Sequence, residues 1–102
     1  MNRSLQIEIP REAIAAFSRR HGIRKLCFFG SVLRDDFQPE SDVDVLVEFE
    51  TNLAVGLIAF AGMELELSEI LGRKVDMRTP AELSRYFRNE VLAEAVEQYV
   101  QT

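Results

Sequence analysis

The spacing of apolar residues along the chain changes several times between the period of a helix and that of a strand. Helical spacing predicts three main helices, over about residues 11–21, 55–71 and 88–100. Gly22 and Gly72 follow the first two patterns, and a glycine there favours the end of a helix. Gly56 and Gly62 are unfavourable inside the second pattern, so either that helix begins late or Gly62 allows close packing on a sheet.

Three short stretches have the pattern of strands, over residues 26–29, 43–49 and 74–77. In the middle stretch the odd positions from Val43 to Phe49 are all apolar, whereas Asp44 and Glu48 are among the even positions. This strand is therefore expected to bury one face and to expose carboxylates on the other. Together the elements predict an α/β or α+β fold, in which helices pack on one face of a small mixed sheet.

Two short helical turns are expected between these elements. Ser31 is a favourable N-cap for a turn that continues to Arg34, because its hydroxyl can accept a bond from a free backbone N–H. Thr79, Pro80 and Glu82 suit the N-cap, first and third positions of the other turn.

The composition of the 102 residues limits the classes of protein to which the chain can belong. The length suits one domain over residues 1–102. A formal net charge of −5, without any stretch dense in lysine and arginine, disfavours direct nucleic-acid binding and suits a basic protein partner. Cys27 is the single cysteine and is expected in the core. Because one cysteine cannot form a disulfide framework, a reducing cytoplasm is the expected location. No apolar run approaches the ~20 residues that a membrane span needs.

Three aspartates are expected on one face of the sheet. Asp42 and Asp44 are two residues apart, so the period of a strand turns both carboxylates the same way. Asp76 takes the corresponding face of its own strand, and the three carboxylates converge if the two strands are neighbours. Such oxygen ligands suit one or two Mg²⁺ ions. An isolated Asp-x-Asp is more often only part of a turn.

Gly30 and Ser31 form a candidate phosphate site beside these carboxylates. A glycine lets a phosphate approach the backbone closely, and the start of a helix offers free N–H groups. Ser31 adds a hydroxyl donor. Arg34 follows about one turn later and either contacts a phosphate or forms an ion pair with Asp35 or Asp36.

The joint pattern Gly30-Ser31-x10-Asp42-x-Asp44 resembles the signature of the nucleotidyltransferase superfamily related to DNA polymerase β. Residues 29–49 as a whole are similar to its smallest branch, the minimal nucleotidyltransferases (MNT), which are the antitoxin halves of prokaryotic HEPN/MNT toxin–antitoxin pairs. The long helix, residues 74–76 and residues 88–99 also fit that branch, so the similarity covers nearly the whole domain. Asp35 stands where this branch commonly has a glycine, but it is a turn position and leaves the core chemistry intact.

This resemblance implies a polymerase β-like fold and an enzymatic activity in the prokaryotic cytoplasm. Members bind ATP and Mg²⁺ and transfer AMP to a hydroxyl, and in this branch the acceptor is a tyrosine of the HEPN toxin, whose RNase activity is thereby silenced. The residues that would hold the nucleotide are Gly30, Ser31 and Arg34, and those that would hold metal and catalyse transfer are Asp42, Asp44 and Asp76. Among the latter, Asp76 would also help to deprotonate the acceptor.

Three functional hypotheses stay open at this point. The first is an Mg²⁺-dependent protein adenylyltransferase that acts as an antitoxin. The second is an antitoxin that neutralises its toxin by occlusion alone and keeps a vestigial nucleotide site. The third is an interaction domain with an acidic turn. Because only 26 residues follow Asp76, the acceptor surface is expected to come from a partner protein rather than from a second domain.

Overall fold

A four-stranded mixed sheet forms the centre of the computed structural model, which describes residues 9–34, 38 and 40–101. The elements in chain order are α1 (Arg11–Arg20), β1 (Ile23–Phe29), a 3₁₀ turn (Gly30–Leu33), β2 (Val43–Phe49), α2 (Leu57–Leu71), β3 (Val75–Arg78), a second 3₁₀ turn (Pro80–Glu82), α3 (Arg88–Glu94) and β4 (Val96–Val100). The strand order is β3-β2-β1-β4, with β1 antiparallel to both of its neighbours and β2 parallel to β3. The predicted fold class, α+β with a small mixed sheet, is confirmed.

Helices α1 and α2 pack side by side on one face of this sheet. The fully or almost fully buried residues that meet there are Ile14 and Phe17 of α1, Met63 and Leu67 of α2, and Val43, Val45 and Val47 of β2. The odd positions of β2 therefore face the core, as their alternation with polar residues predicted. Each such side chain contributes about 1.5–3 kcal/mol through removal of apolar surface from water. None of the helices in the described ranges is long and apolar enough to cross a lipid bilayer.

The boundaries of α2 decide between the two explanations of its glycines. The helix begins late, at Leu57, and Gly56 precedes it as an extended N-cap residue. Gly62 lies within the helix but is exposed, and a Cβ atom at this position would meet nothing within 4 Å. It therefore does not serve close packing on the sheet. Gly72 ends the helix in the left-handed conformation, with a φ of 66°, as predicted.

The helix predicted over residues 88–100 is wrong in its second half. Helix α3 ends at Glu94, and the chain then forms β4, which pairs with β1 so that Val96 lies opposite Phe28 and Tyr99 opposite Leu26. Residues 96, 99 and 100 are β-branched or aromatic and favour a strand, although positions 96 and 99 also fit a helical stripe. Pairing with the exposed edge of β1 decides the outcome, because it satisfies backbone groups that would otherwise lack partners.

One of the two predicted polar connections is confirmed, and the other stays a prediction. The turn after β3 forms as expected, and the backbone N–H of Thr79 donates to Glu82 Oε1 at 3.0 Å. The connection before β2 falls mostly outside the described residues, since 35–37 and 39 are among those not described.

Candidate active site

Asp44 and Asp76 are direct neighbours across the parallel pair of β2 and β3. The residues on either side of each aspartate point into the core: Val43, Val45, Val75 and Met77 are all at least 97% buried. Because side chains alternate along a strand, both aspartates emerge on the face that α1 and α2 do not cover. Asp42 lies directly before β2, and its charge also acts on Asp44. The structure thus brings together the strands whose neighbourhood the three-carboxylate prediction required.

Gly30 lies at the end of β1, directly beside Asp44. Phe29 is paired with Asp44 in the antiparallel ladder, and Gly30 continues from it with a φ of 75°. A Cβ atom added to Gly30 would overlap the carboxylate of Asp44. Only glycine both adopts this backbone conformation readily and leaves that space free. The sequence linked this glycine to a phosphate, whereas its first structural role is to make room for the aspartate.

Ser31 contacts both aspartates of the Asp-x-Asp motif. Its backbone N–H donates a hydrogen bond to the carboxylate of Asp44, and its hydroxyl donates to the carbonyl oxygen of Asp42 at 3.4 Å. The expectation that Ser31 is an N-cap is wrong, because the 3₁₀ turn already begins at Gly30 and Phe29 takes the cap position. One N–H that was expected to be free for a phosphate is therefore directed at Asp44. The turn closes back onto β2, which explains this orientation.

Negative charge is concentrated at Asp44. Burial and the nearby charge of Asp76 raise the pKa of Asp44, and Asp42 raises it further. The hydrogen bond from Ser31 and the positive charge of Arg78 lower this pKa and offset only part of the increase. Like charges so placed favour either a proton or a cation among them.

Two basic residues of the β3 segment neutralise part of this charge. Arg78 Nη2 lies 3.3 Å from Asp76 Oδ2, and Lys74 Nζ lies 3.9 Å from Asp42 Oδ2. Neither residue was among the predicted site residues, although both are two positions from Asp76 and so share its face. Both pairs are partly exposed, and pairs of this kind contribute little to stability. Arg78 and Lys74 therefore leave the carboxylates accessible to a cation that binds them more tightly.

The arrangement suits Mg²⁺ in its chemistry, but it is not a closed metal cage. Across residues 9–34, 38 and 40–101, no three histidine, cysteine, aspartate or glutamate side chains are gathered closely enough to hold a metal ion together. Mg²⁺ binds through one or two carboxylates and keeps several waters or substrate phosphates. The paired Asp44 and Asp76, with their excess negative charge, fit that donor set.

Arg34 follows the 3₁₀ turn and has an exposed side chain. Its backbone N–H donates to the carbonyl oxygen of Ser31 at 2.9 Å, so the turn fixes where its side chain leaves the backbone. Asp35 and Asp36, its alternative ion-pair partners, lie outside the described residues. Both roles of Arg34 stay predictions.

Residues 10–98 match the family model of the nucleotidyltransferase domain. The chain belongs to this nucleotidyltransferase family. It is 33% identical, over 90 residues, to a candidate protein adenylyltransferase of Methanocaldococcus jannaschii, a match that covers 88% of this chain and 94% of that protein. It is 36% identical, over 77 residues, to the protein adenylyltransferase MntA of Thermococcus cleftensis, with 76% of each chain covered.

The nucleotidyltransferase also shares its fold with a chain of a solved toxin–antitoxin complex. That complex contains a tri-AMPylated Shewanella oneidensis HEPN toxin and an MNT antitoxin, and the match has a TM-score of 0.65 over 89% of this chain and 70% of that one. At 18% identity this likeness shows the fold alone. The family and the enzyme class predicted from Gly30-Ser31-x10-Asp42-x-Asp44 are confirmed.

Proposed function

We propose that this nucleotidyltransferase is an antitoxin that transfers AMP from ATP to a tyrosine hydroxyl of a HEPN-type RNase toxin. The names of its relatives, which are protein adenylyltransferases, support the reaction. The AMPylated HEPN toxin in the structurally similar complex supports the partner. Within the chain, the observation that carries the proposal is the pairing of Asp44 with Asp76 beside a glycine that leaves room for the Asp44 carboxylate.

The three aspartates share one role in the proposed reaction, and Asp76 has a second. Asp42, Asp44 and Asp76 are the residues that would hold one or two Mg²⁺ ions, and the metal would supply charge neutralisation during the transfer. The phenolic oxygen of the tyrosine forms a bond to the α-phosphorus of ATP, and the bond from that phosphorus to the oxygen bridging the β-phosphate breaks. Pyrophosphate leaves, and Asp76 accepts the phenolic proton. The site contributes positioning and electrostatics rather than a covalent intermediate.

The turn at Gly30 and Ser31 is the proposed site of the triphosphate. The hydroxyl of Ser31 forms a long hydrogen bond of 3.4 Å with a backbone oxygen, and a bond this weak can be exchanged for one to a phosphate. Arg34, exposed just beyond the turn, is the proposed second phosphate contact. The toxin supplies the acceptor tyrosine, and the net charge of −5 favours a toxin with a basic surface.

The proposal is tested by label transfer to the protein encoded next to this chain's gene. The nucleotidyltransferase, that neighbour, ATP labelled at the α-phosphate and Mg²⁺ are incubated together, and the label on the neighbour is measured. Asp44→Asn and Asp76→Asn preserve shape and remove charge, so each is expected to lower transfer at least about a hundred-fold. Glu48→Gln is the matched control, because Glu48 is on the same face of β2 and pairs with Arg24 outside the site. Equal transfer by all variants would refute the proposal.

Neutralisation by occlusion is the second candidate, because an antitoxin can also block its toxin by binding alone. The two functions are separated by growth of cells that express the toxin. If the Asp44→Asn and Asp76→Asn proteins rescue growth as well as the parent, and the parent transfers no label, then occlusion is the function.

A further inference from the structure

The outer edge of β3 is closed by two side chains of α2. This strand has β2 on one side only. On its other side the backbone N–H of Val75 donates to Ser68 Oγ at 3.0 Å, and that of Met77 donates to Glu64 Oε2 at 2.7 Å. The hydroxyl of Ser68 in turn donates to the carbonyl oxygen of Glu64 at 2.8 Å. Two residues one helical turn apart therefore satisfy the N–H groups that an edge strand would otherwise leave free.

These two bonds are placed directly before and after Asp76. The side chains of Val75 and Met77 are 2% and 3% exposed and anchor the backbone in the core. Asp76, between them, is turned to the opposite face, where it is the register partner of Asp44. A shift of β3 along or away from β2 would break both bonds from α2. The bond to Glu64 has a carboxylate acceptor, and charge-assisted bonds are roughly twice as strong as neutral ones.

The same stretch of backbone is also fixed from the β2 side. The N–H of Val43, next to Asp42, donates to the carbonyl oxygen of Lys74 at 2.8 Å. Residues 74–77 are thus held between β2 and α2. With only four residues and one strand neighbour, β3 would be weakly held by the sheet alone.

We propose that Glu64 and Ser68 are positioning residues for nucleotidyl transfer, which act through the backbone of β3 on the carboxylate of Asp76. This inference rests on the proposed function, because it assigns the two residues to the reaction at Asp44 and Asp76. Neither side chain lies on the site face; both belong to the helix that packs on the other face of the sheet. Their effect is to keep Asp76 in register with Asp44 while substrate and metal bind and leave.

The first test compares three variants of α2 by the kinetics of AMP transfer to the toxin. Glu64→Ala removes the acceptor and is expected to lower kcat about ten- to a hundred-fold, as loss of a group that orients a metal ligand does. The KM for ATP should change less than kcat, because Asp76 is displaced rather than lost and the turn at Gly30 and Ser31 still holds the triphosphate. Glu64→Gln retains an oxygen acceptor and is expected to restore most of kcat. Glu69→Ala, on the same helix but with an exposed side chain, is the matched control and should match the parent.

The second test does not depend on activity. Hydrogen exchange of the Met77 amide, followed by NMR without nucleotide, is expected to be faster in Glu64→Ala and parent-like in Glu64→Gln and Glu69→Ala. Should Glu64→Ala fail to fold, Ser68→Ala takes its place, because it removes only a hydroxyl. Exchange of the Val75 amide, which donates to Ser68, is then measured instead and is expected to be faster than in the parent.

A double variant separates positioning from a general structural role. In the Asp76→Asn background, Glu64→Ala is expected to add no further loss of kcat, because both changes remove the same contribution. A parent-like kcat in Glu64→Ala, or an equal further loss in the Asp76→Asn background, would overturn the positioning role. Failure of the proposed function is a different result: Asp44→Asn would then leave transfer intact.

Discussion

Gly30 and Asp44 lie so close together that the carboxylate of Asp44 fills the space that a side chain at position 30 would need. Gly30 directly follows β1 and Asp44 is the second residue of β2, and Phe29 pairs with Asp44 across the two strands. Substitution at either position therefore changes the other. This coupling makes the glycine part of the site even before any ligand is considered.

Gly30→Ala is expected to displace the carboxylate of Asp44 and to strain the backbone, which has a φ of 75° at this position. We expect a loss of about 1–3 kcal/mol in the free energy of unfolding and a fall in AMP transfer of about a hundred-fold, since an error of 1 Å in position can cost that much. Urea unfolding and label transfer measure the two effects.

Gly62→Ala is the matched control for this substitution. Gly62 lies in the middle of α2, and a Cβ atom there would meet nothing within 4 Å. The free energy of unfolding is expected to rise by about 0.5–1 kcal/mol, because alanine favours a helix over glycine, and AMP transfer should not change. Full transfer in Gly30→Ala would show that the close approach to Asp44 is not required, and an equal loss in Gly62→Ala would show that the effect of Gly30→Ala is not specific to the site.

Local periodicity was sufficient to predict the features that depend on one core-facing side of an element or on a local turn. The bounds of β2, 43–49, agree with the prediction because every odd position is apolar and contacts the core. The shared face of Asp44 and Asp76 follows from the same period of two, once the strands are adjacent. The end of α2 at Gly72 depends only on a local left-handed turn.

Features that depend on contacts between distant segments were not predictable. The segment from Val96 to Val100 fits a helix or a strand equally, and pairing with β1 decides between them. The approach of Gly30 to Asp44 and the bond from Ser31 to that carboxylate require the register of β1 on β2. The bond from Met77 to Glu64 joins a strand to a helix, and no periodic pattern in the sequence indicates it.

Cys27 is expected to be unreactive in the folded protein. It is 3% exposed, and burial raises the pKa of its thiol to about 11. Compared with an ordinary thiol of pKa ~8.5, its thiolate fraction at pH 8 is lower by on the order of a hundred-fold. Reaction with a chromogenic disulfide reagent at pH 8 should be slow in buffer and fast in concentrated urea. Fast labelling of the folded protein would contradict this account.

Glu66 of α2 forms ion pairs with two residues at the end of α1, Arg20 and His21. Hydrogen bonds from Arg20 and then from His21 lower the pKa of Glu66, and His21 Nε2 lies 2.8 Å from Glu66 Oε1. At pH 7 we expect Glu66→Gln to lower the free energy of unfolding by about 0.5–1 kcal/mol, since the pair is partly exposed. A carboxylate with a lowered pKa stabilises the fold above its unfolded pKa of ~4.3, and this contribution is lost as the pH falls through the folded pKa.

The difference between Glu66→Gln and the parent should therefore shrink on acidification. Urea unfolding at neutral and at strongly acid pH measures it, with Glu69→Gln as the control on the same helix. A deficit of the same size at both pH values would mean that the charge of Glu66 is not responsible.

The two faces of α2 are expected to differ sharply in their contribution to stability. Leu67 is fully buried, and Leu67→Ala should cost about 2–5 kcal/mol in the free energy of unfolding. Ile58 is 91% exposed, so Ile58→Ala should change it by no more than about 0.5 kcal/mol. Thermal or urea unfolding compares the variants directly. A large loss in Ile58→Ala would indicate that this face is covered in solution.

The central claim is that Asp44 and Asp76 together hold a metal-bound nucleotide, and calorimetric titration with AMP-PNP tests it most directly. In the presence of Mg²⁺, the parent and Glu48→Gln are expected to bind, whereas Asp44→Asn and Asp76→Asn should each bind at least about ten-fold more weakly, since each removes a carboxylate from the proposed metal site. Removal of Mg²⁺ with a chelator should weaken binding to the parent in the same way. Equal affinity in the parent and in both aspartate variants, with or without Mg²⁺, would contradict the account.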